Sequence, residues 1–403
     1  MKRLALHWQI LIAFILASVF GFFFKEQVHY ISWLGDLFLR SLKMIIIPLI
    51  LSSIISGVAN IGDAKNLGRL GLKTFTYYIS TSILALLTGL FFVNLFNPGV
   101  GTDLGFVENV NGLIDAKDSF GKTLLNIIPE NIFHAMAENK MLSIIFFAVL
   151  LGYSITKTKE KHKALLTDLA NSSFEVMMKI TLFIIKFTPI GIFGIVAKQI
   201  ADHDNILELF SRLGLFMFVV LFALIFHASV ILPLLLKIFG KVSPLKHFKA
   251  MRTPLLTAFF TSSSSATLPL TMDALENKAG VSNTVTSFTL PLGSTVNMDG
   301  TALYELVAAM FIAQAYGIDL SLTQQIMIVI TGLLASIGAA GIPMAGLVMI
   351  SVILSAIGLP LEGIGLILAV ERVLDMFRTA VNVWSDSCGA VIVAKSEGEK
   401  LKI

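Results

Sequence analysis

Cysteine is almost missing from this chain, and Cys388 is the single one. That excludes an intrachain disulfide and argues against a cysteine-based metal cluster. Charge is scarce as well. Asp, Glu, Lys and Arg make up 14% of 403 residues, where a soluble domain carries about 25%. With 56% hydrophobic residues and a mean hydropathy of +0.84, an ordinary soluble fold is excluded and an integral membrane protein with several spans remains. The net charge of +4 does not suggest a nucleic-acid partner, because the basic residues collect in short stretches between apolar runs. A cleavage site for a secretory signal is also lacking. Met1-Lys2-Arg3 opens an apolar run, but bulky Phe22, Phe23 and Phe24 stand where small residues would be needed, so a retained first helix is expected.

What is present is apolar sequence in span-length pieces. Six candidate spans precede residue 250, at about 6–25, 33–60, 72–96, 141–156, 174–200 and 212–239. Lys2-Arg3 and the loops read at 63–73, 157–163 (Lys157, Lys159, Lys161, Lys163) and 237–252 share one side of the membrane. The segments near 25–32, 97–140 and 201–209 share the other, and the long one carries Asp103, Glu108, Asp115, Asp118, Glu130 and Glu138. The positive-inside rule then predicts a cytoplasmic N-terminus.

After residue 250 the apolar stretches are broken by Ser, Gly, Thr, Asn and Pro. Residues 254–280 contain Thr261-Ser262-Ser263-Ser264-Ser265-Ala266-Thr267-Leu268-Pro269, and residues 323–358 contain Gly338-Ala339-Ala340-Gly341-Ile342-Pro343-Met344-Ala345-Gly346. Each is too long and too interrupted for one straight helix, and predicts a hairpin that enters and leaves from the same face. Non-helical backbone at membrane depth survives only where it lines a cavity, and paired broken segments point to a transporter binding site. Between them, Gly293-Ser294-Thr295-Val296-Asn297-Met298-Asp299-Gly300-Thr301 predicts a helix break that exposes carbonyls beside a carboxylate. That oxygen-rich chemistry suits an alkali cation. Thr301 borders the break, and Glu305 one turn on is a lone acid in an apolar helix, readable as a proton carrier or as a fixed structural carboxylic acid. In the third span Tyr78, Thr81 and Ser82 share a face, which fits interhelical hydrogen bonds or cation ligation.

The last apolar helix carries Asp375, Arg378, Thr379, Asn382 and Asp386. At about 100° per residue, these fall within roughly 100° of arc. A charged side chain at the centre of a spanning helix costs about 2.5–3.5 kcal/mol on insertion scales, so such groups face a polar interior and are functional by default. Asp375 can hold an ammonium group, and Arg378 can hold a carboxylate in two parallel hydrogen bonds. The stripe reads as a site for a zwitterion bearing an extra carboxylate.

These motifs, Ser262–Pro269, Asn297–Thr301, Gly338–Gly346 and Asp375–Asp386 in that order, strongly resemble those of the dicarboxylate/amino acid:cation symporters. The archaeal aspartate transporters and mammalian excitatory amino acid transporters belong to that family. The resemblance implies an all-α membrane protein of eight transmembrane helices plus two re-entrant hairpins, working as an elevator in a homotrimer. Residues 1–70 and 120–240 would be mainly scaffold and trimer contact; 71–100 and 250–395 would carry substrate; 396–403 would be a cytoplasmic tail.

By motif position, the resemblance gives Asp375 the substrate amino group and Arg378 its side-chain carboxylate. Ser262, Ser264, Thr301, Ile342, Gly346, Thr379 and Asn382 would complete the substrate shell, with the second hairpin as gate. One sodium site would use Asp386 with the carbonyls of Gly293, Asn297 and Asn382. A second would use Thr295 and Met298 with the carbonyls of Ser336, Ile337 and Ala339. A third would use Tyr78, Thr81, Ser82, Asn297 and Asp299.

Arg378 together with Asp375 implies L-glutamate or L-aspartate as substrate, driven by sodium without any organic cofactor. Glu305 matches the mammalian members, which implies proton co-transport and potassium counter-transport. The chain departs from the family in lacking an additional arginine at Ser262 or Met376, and in carrying Glu371 where an aspartate is usual. A cell-membrane location with both termini cytoplasmic is implied.

Other classes fit less well. An ion channel could use the same stripe as a pore lining. An intramembrane enzyme could use Asp375 with Asp386, or Ser262–Ser265 with a base. The aspartates, however, are eleven residues apart, about 16 Å along a helix, and no His or Lys is placed as an obvious partner for the serines. Within carriers, the alternative is a proton-driven glutamate or C4-dicarboxylate symporter.

Overall fold

Apolar helices long enough to bury their own backbone polar groups dominate the chain, as a bilayer requires. The computed structural model describes residues 6–61, 68–101, 128–138, 140–202, 206–337 and 345–403, and among them it is entirely helical. The longer helices are α1 (Leu6–Phe23), α2 (Ser32–Ile61), α3 (Gly68–Phe96), α4 (Met141–Thr156), α5 (Glu160–Ile185), α6 (Thr188–Asp202) and α7 (Ile206–Phe226), the last running on through π turns to Gly240. After them come α8 (Pro244–Thr261), α9 (Ser264–Asp273), α10 (Asn283–Val296), α11 (Asp299–Ala315), α12 (Leu322–Ile337), α13 (Ala345–Ile357) and α14 (Ile364–Ser396). Several predicted residues lie outside the described residues: Lys2, Arg3, Lys65, Asp103, Glu108, Asp115, Asp118, Ala339, Ile342 and Met344.

Three helices of the described residues are long and apolar enough to cross a membrane, Ser32–Ala59, Arg69–Phe96 and Ser211–Gly240. The expected single span at 174–200 is corrected. The helix there starts at Glu160, and its apolar run bends by 54° between Ile185 and Thr188; counted as one, the pair makes a fourth span. The basic loops at 157–163 and 237–252 also shrink, because Lys161 and Lys163 lie on α5, Lys237 on the π turn ending α7, and Lys246, Lys249 and Arg252 on α8. Periodicity could not separate a charged helix end from a loop.

Early helices pack through small residues. On α6, a methyl group on Gly194 would come within 2.5 Å of the Gly35 amide nitrogen on α2, so only glycine admits that crossing. At the first of the interrupted segments α8 ends at Ser262, whose positive φ of 51° turns the chain, and α9 and its π-helical end pack back against α8. For the second, α12 and α13 pack on each other, and their connection at 338–344 is outside the described residues. The predicted break appears between α10 and α11 at Asn297–Met298. The axis of this half is α11, buried along its length except at Gln314 and enclosed by α3, α7, α12, α13 and α14. A helix apolar on every face is stable only in such a setting.

Residues near the C-terminus dock on the helices around them. The Lys402 amide donates to Ala279 O at 2.8 Å, the Ser282 amide to Glu399 at 2.9 Å, and Leu401 and Ile403 pack on a buried apolar cluster. Glu397 sits between Arg69 (2.6 Å) and Lys73 (2.7 Å) at the start of α3. Those two hydrogen-bonded cations hold its carboxyl below the usual glutamate range.

Candidate functional site

The α14 stripe faces inward as its spacing requires. Asp375, Arg378, Thr379, Asn382 and Asp386 are all buried. Arg378, only 2% exposed, donates from Nε to Asp375 Oδ1 (2.9 Å) and from Nη2 to Glu371 Oε1 (2.7 Å), with Nη2 also 2.8 Å from Asp375 Oδ1. Its guanidinium carbon lies 4.6 Å from the Tyr304 ring centroid, a cation–π contact. Arg378 Nη1 and Asp375 Oδ2 are buried without a hydrogen-bond partner, although Arg372 Nη1 is 3.8 Å from the latter oxygen. Unpaired buried polar atoms are costly, so a guanidinium nitrogen and a carboxylate oxygen left open one helical turn apart point to a ligand bearing both charges.

Other predicted substrate residues gather round this pair. Gly346 belongs there because a methyl group on it would lie 2.4 Å from Arg378 Nη1. Asn382 Oδ1 accepts from the amides of Gly300 (2.7 Å) and Thr301 (3.3 Å), capping α11, while its Nδ2 donates to the Thr301 hydroxyl (3.0 Å). At the first hairpin tip the Ser262 hydroxyl is buried and unpaired, and buried Ser264 opens α9, where free helix N–H groups favour an anion. This hairpin rests on α14, with the rings of Phe259 and Phe377 5.0 Å apart.

The predicted cation residues form a second cluster at the break. Ser82 Oγ donates to Asp299 Oδ1 (2.8 Å) and Thr81 Oγ1 to Asn297 Oδ1 (3.2 Å), while Asn297 Nδ2 donates to Asp386 Oδ1 (2.9 Å). Tyr78 donates its hydroxyl to Thr289 O at 2.7 Å. Gly293 lets the helix pass close, since a methyl group there would be 2.5 Å from Asp386 Oδ1. Two acids with amide and hydroxyl oxygens thus gather at the break, oxygen donors of the kind that suits a hard cation.

Some predicted ligands are not drawn in. The Thr295 side chain is exposed and its hydroxyl donates to Leu292 O within its own helix (3.0 Å). The buried Ser336 hydroxyl donates to Leu333 O (2.9 Å), a bond that does not bear on the main-chain carbonyl expected as its ligand atom. Ile337 ends α12, and its carbonyl is a main-chain expectation only. Met298 is buried, with its sulfur 3.5 Å from Asn382 Nδ2. Glu305 is fully buried on α11, with neither carboxyl oxygen hydrogen-bonded.

Sequence reasoning passed over Ser385, His227 and Tyr304 here, and singled out Glu371 only as a departure from the family pattern. Ser385 donates its hydroxyl to Asp299 Oδ2 (2.5 Å) and accepts from Asn297 Nδ2 (3.0 Å). His227 Nε2 lies 3.5 Å from Asp299 Oδ2. Tyr304 carries the cation–π contact and donates its hydroxyl to Glu371 Oε2, and Glu371 pairs with Arg378. His227 did leave a signal, as a lone histidine in a run of apolar residues; Ser385 left none apart from its neighbour Asp386.

A profile of the sodium:dicarboxylate symporter family matches residues 6–396. The chain belongs to the sodium:dicarboxylate symporter family. Its members are transporters, not enzymes, and this symporter is a multi-pass membrane protein. It is 36% identical to the proton/sodium-glutamate symport protein of Geobacillus stearothermophilus over 409 residues, covering 99% of this chain and 96% of that protein. It is 34% identical to the proton/glutamate-aspartate symporter of Escherichia coli K12 over 415 residues, covering 98% and 93%. It is 38% identical to excitatory amino acid transporter 3 of Mus musculus over 423 residues, covering 93% of this chain and 80% of that protein.

Proposed function

We propose that this symporter takes up L-glutamate or L-aspartate, driven by sodium. The observation that carries the reading is the pairing on α14 of Asp375, with one open carboxylate oxygen, and Arg378, with one open guanidinium nitrogen. Asp375 favours an amino acid over a simple C4-dicarboxylate, and Arg378 favours an acidic side chain over a neutral one. Ser262 and the N–H groups opening α9 receive the main carboxylate, and Asn382 and Thr301 close the far side. The names of the bacterial and mammalian relatives, which specify glutamate or excitatory amino acids, support the same substrate class.

Sodium occupies the oxygen cluster of Tyr78, Thr81, Ser82, Asn297, Asp299 and Asp386. It stabilises the break that also positions Thr301 and Asn382. Ion and substrate therefore bind the same segments, and each raises the other's affinity. Glu305, buried with both oxygens unpaired, is the group for proton co-transport and potassium counter-transport.

The full arrangement we infer has eight spans and two hairpins. Residues 1–70 and 120–240 form the scaffold of a homotrimer, and 71–100 and 250–395 move as an elevator. Both termini are cytoplasmic, with 396–403 docked on the moving part.

Uptake of radiolabelled L-glutamate and L-aspartate into proteoliposomes tests the reading, under an inward sodium gradient with internal potassium or choline. Sodium-dependent uptake is expected. A requirement for internal potassium, lost in Glu305→Gln, supports exchange through Glu305. Uptake indifferent to sodium overturns the cation sites and favours a proton-driven carrier.

A further inference from the structure

Arg378 is already occupied by a carboxylate of its own helix. Glu371, Asp375 and Arg378 fall at i, i+4 and i+7 on α14, so the three side chains stack on one face. A guanidinium presents five N–H donors in a fixed plane, and a carboxylate is held best by two parallel ones. The edge formed by Nε and Nη2 is taken by Asp375 Oδ1, at 2.9 and 2.8 Å. The other fork, Nη1 with Nη2, has its Nη2 half in contact with Glu371 Oε1 at 2.7 Å, and only Nη1 is open. Glu371 is not loosely placed: Tyr304, whose ring carries the guanidinium on its face, donates its hydroxyl to Glu371 Oε2.

We propose that Glu371 is a built-in competitor for the substrate's side-chain carboxylate. It holds Arg378 while the site is empty, and gives up Nη2 when an acidic substrate takes the Nη1–Nη2 fork. The inference rests on the proposed acidic amino acid site and assigns a specificity role to a residue outside that substrate shell.

Two consequences of opposite sign follow. An acidic substrate must displace Glu371 from Nη2, so Glu371 weakens its binding. A neutral amino acid leaves the fork unused, and Glu371 keeps the buried guanidinium paired during that binding event. Glu371 therefore narrows the affinity gap between acidic and neutral substrates. A residue that only braced the helix would weaken both together when replaced.

The test compares the wild type, Glu371→Gln and Glu371→Asp, purified in detergent at saturating sodium and one fixed pH. Equilibrium binding of radiolabelled L-aspartate, L-glutamate and L-serine is measured, with size exclusion as the check on folding. Glutamine keeps the shape and the Tyr304 hydrogen bond but removes the charge. It is expected to tighten L-aspartate or L-glutamate at least tenfold, about 1.4 kcal/mol, and to leave L-serine unchanged or weaker. Glu371→Asp draws the carboxylate back by one methylene and is expected to shift the same ratio in the same direction by a few fold, which serves if the glutamine variant does not fold. Wild-type binding of an acidic amino acid with no rise in the acidic-to-neutral ratio in either folded variant overturns this inference alone. Failure of the wild type to bind either acid overturns the proposed function, and this inference with it.

Discussion

Replacing Arg378 by alanine removes the cation hydrogen-bonded to both Glu371 and Asp375, two carboxylates buried at the centre of the helical assembly. Breaking a buried ion pair from one side costs about 3–5 kcal/mol, because the abandoned charges remain out of water. A second loss falls on the substrate. Hydrogen bonds to charged groups contribute about 1.5–3 kcal/mol each, so a bidentate contact to the side-chain carboxylate is worth about 3–6 kcal/mol, more than a hundredfold in affinity.

The two effects separate experimentally. Thermal unfolding in detergent reports the stability loss, and sodium-dependent binding of L-aspartate against L-serine reports the recognition loss. Arg378→Ala is expected to lose L-aspartate at least a hundredfold while retaining part of its L-serine binding, since Asp375, Ser262, Ser264 and Asn382 remain. Adding Glu371→Gln removes one stranded charge and should restore about 0.5–3 kcal/mol of stability, the usual range for residues in direct contact, without restoring L-aspartate. The reasoning is refuted if Arg378→Ala binds L-aspartate within threefold of the wild type. It is equally refuted if the double variant is no more stable than the single one.

Asp386→Asn keeps the size of the group that receives the Asn297 amide but removes its charge, so the sodium concentration for half-maximal uptake should rise at least tenfold with the aspartate-over-serine preference intact. An unchanged sodium dependence would detach Asp386 from cation binding. Gly346→Ala places a methyl group 2.4 Å from a guanidinium nitrogen that Asp375 and Glu371 hold in place. Uptake should fall at least tenfold while the protein stays monodisperse, and normal uptake would mean that the second hairpin does not close over Arg378. Glu397 has its carboxyl lowered, first by its hydrogen bond to Arg69 and then by that to Lys73. The stability it adds is thus present above the unfolded glutamate value of about 4.3 and is lost as pH falls through the lower folded value. Unfolding temperatures measured down through that window should drop less steeply in Glu397→Gln than in the wild type, and identical slopes would remove the tail contact from the stability of this symporter.

Much of the site was readable because it is local. Asp375, Arg378, Asn382 and Asp386 lie on one helix whose period fixes which residues share a face, and the bilayer penalises any charge that does not turn inward. The breaks at Ser262 and at Asn297–Met298 were equally local, since runs of small polar residues, Asn and Gly cannot continue an apolar helix without exposing backbone. Failures had the same origin. The 157–163 lysines look like a loop in one dimension, yet α5 begins at Glu160, and Pro189, which marks the bend before Thr188, sits in a run apolar enough to read as one span.

The sequence by itself determined a helical membrane transporter with an acid–guanidinium stripe on its last helix, two interrupted segments and an oxygen-rich break between them. Only the tertiary structure decided what those groups touch. Glu371 meets Tyr304 across 67 residues of chain, Ser82 meets Asp299 across 217, and Arg69 meets Glu397 across 328. Such pairings depend on how helices cross, and helix crossing is set by side-chain packing distributed over the whole assembly rather than by any local pattern. The same packing pairs Arg378 with Glu371 as well as with Asp375, turning a stripe readable in one dimension into a site that carries its own competing carboxylate.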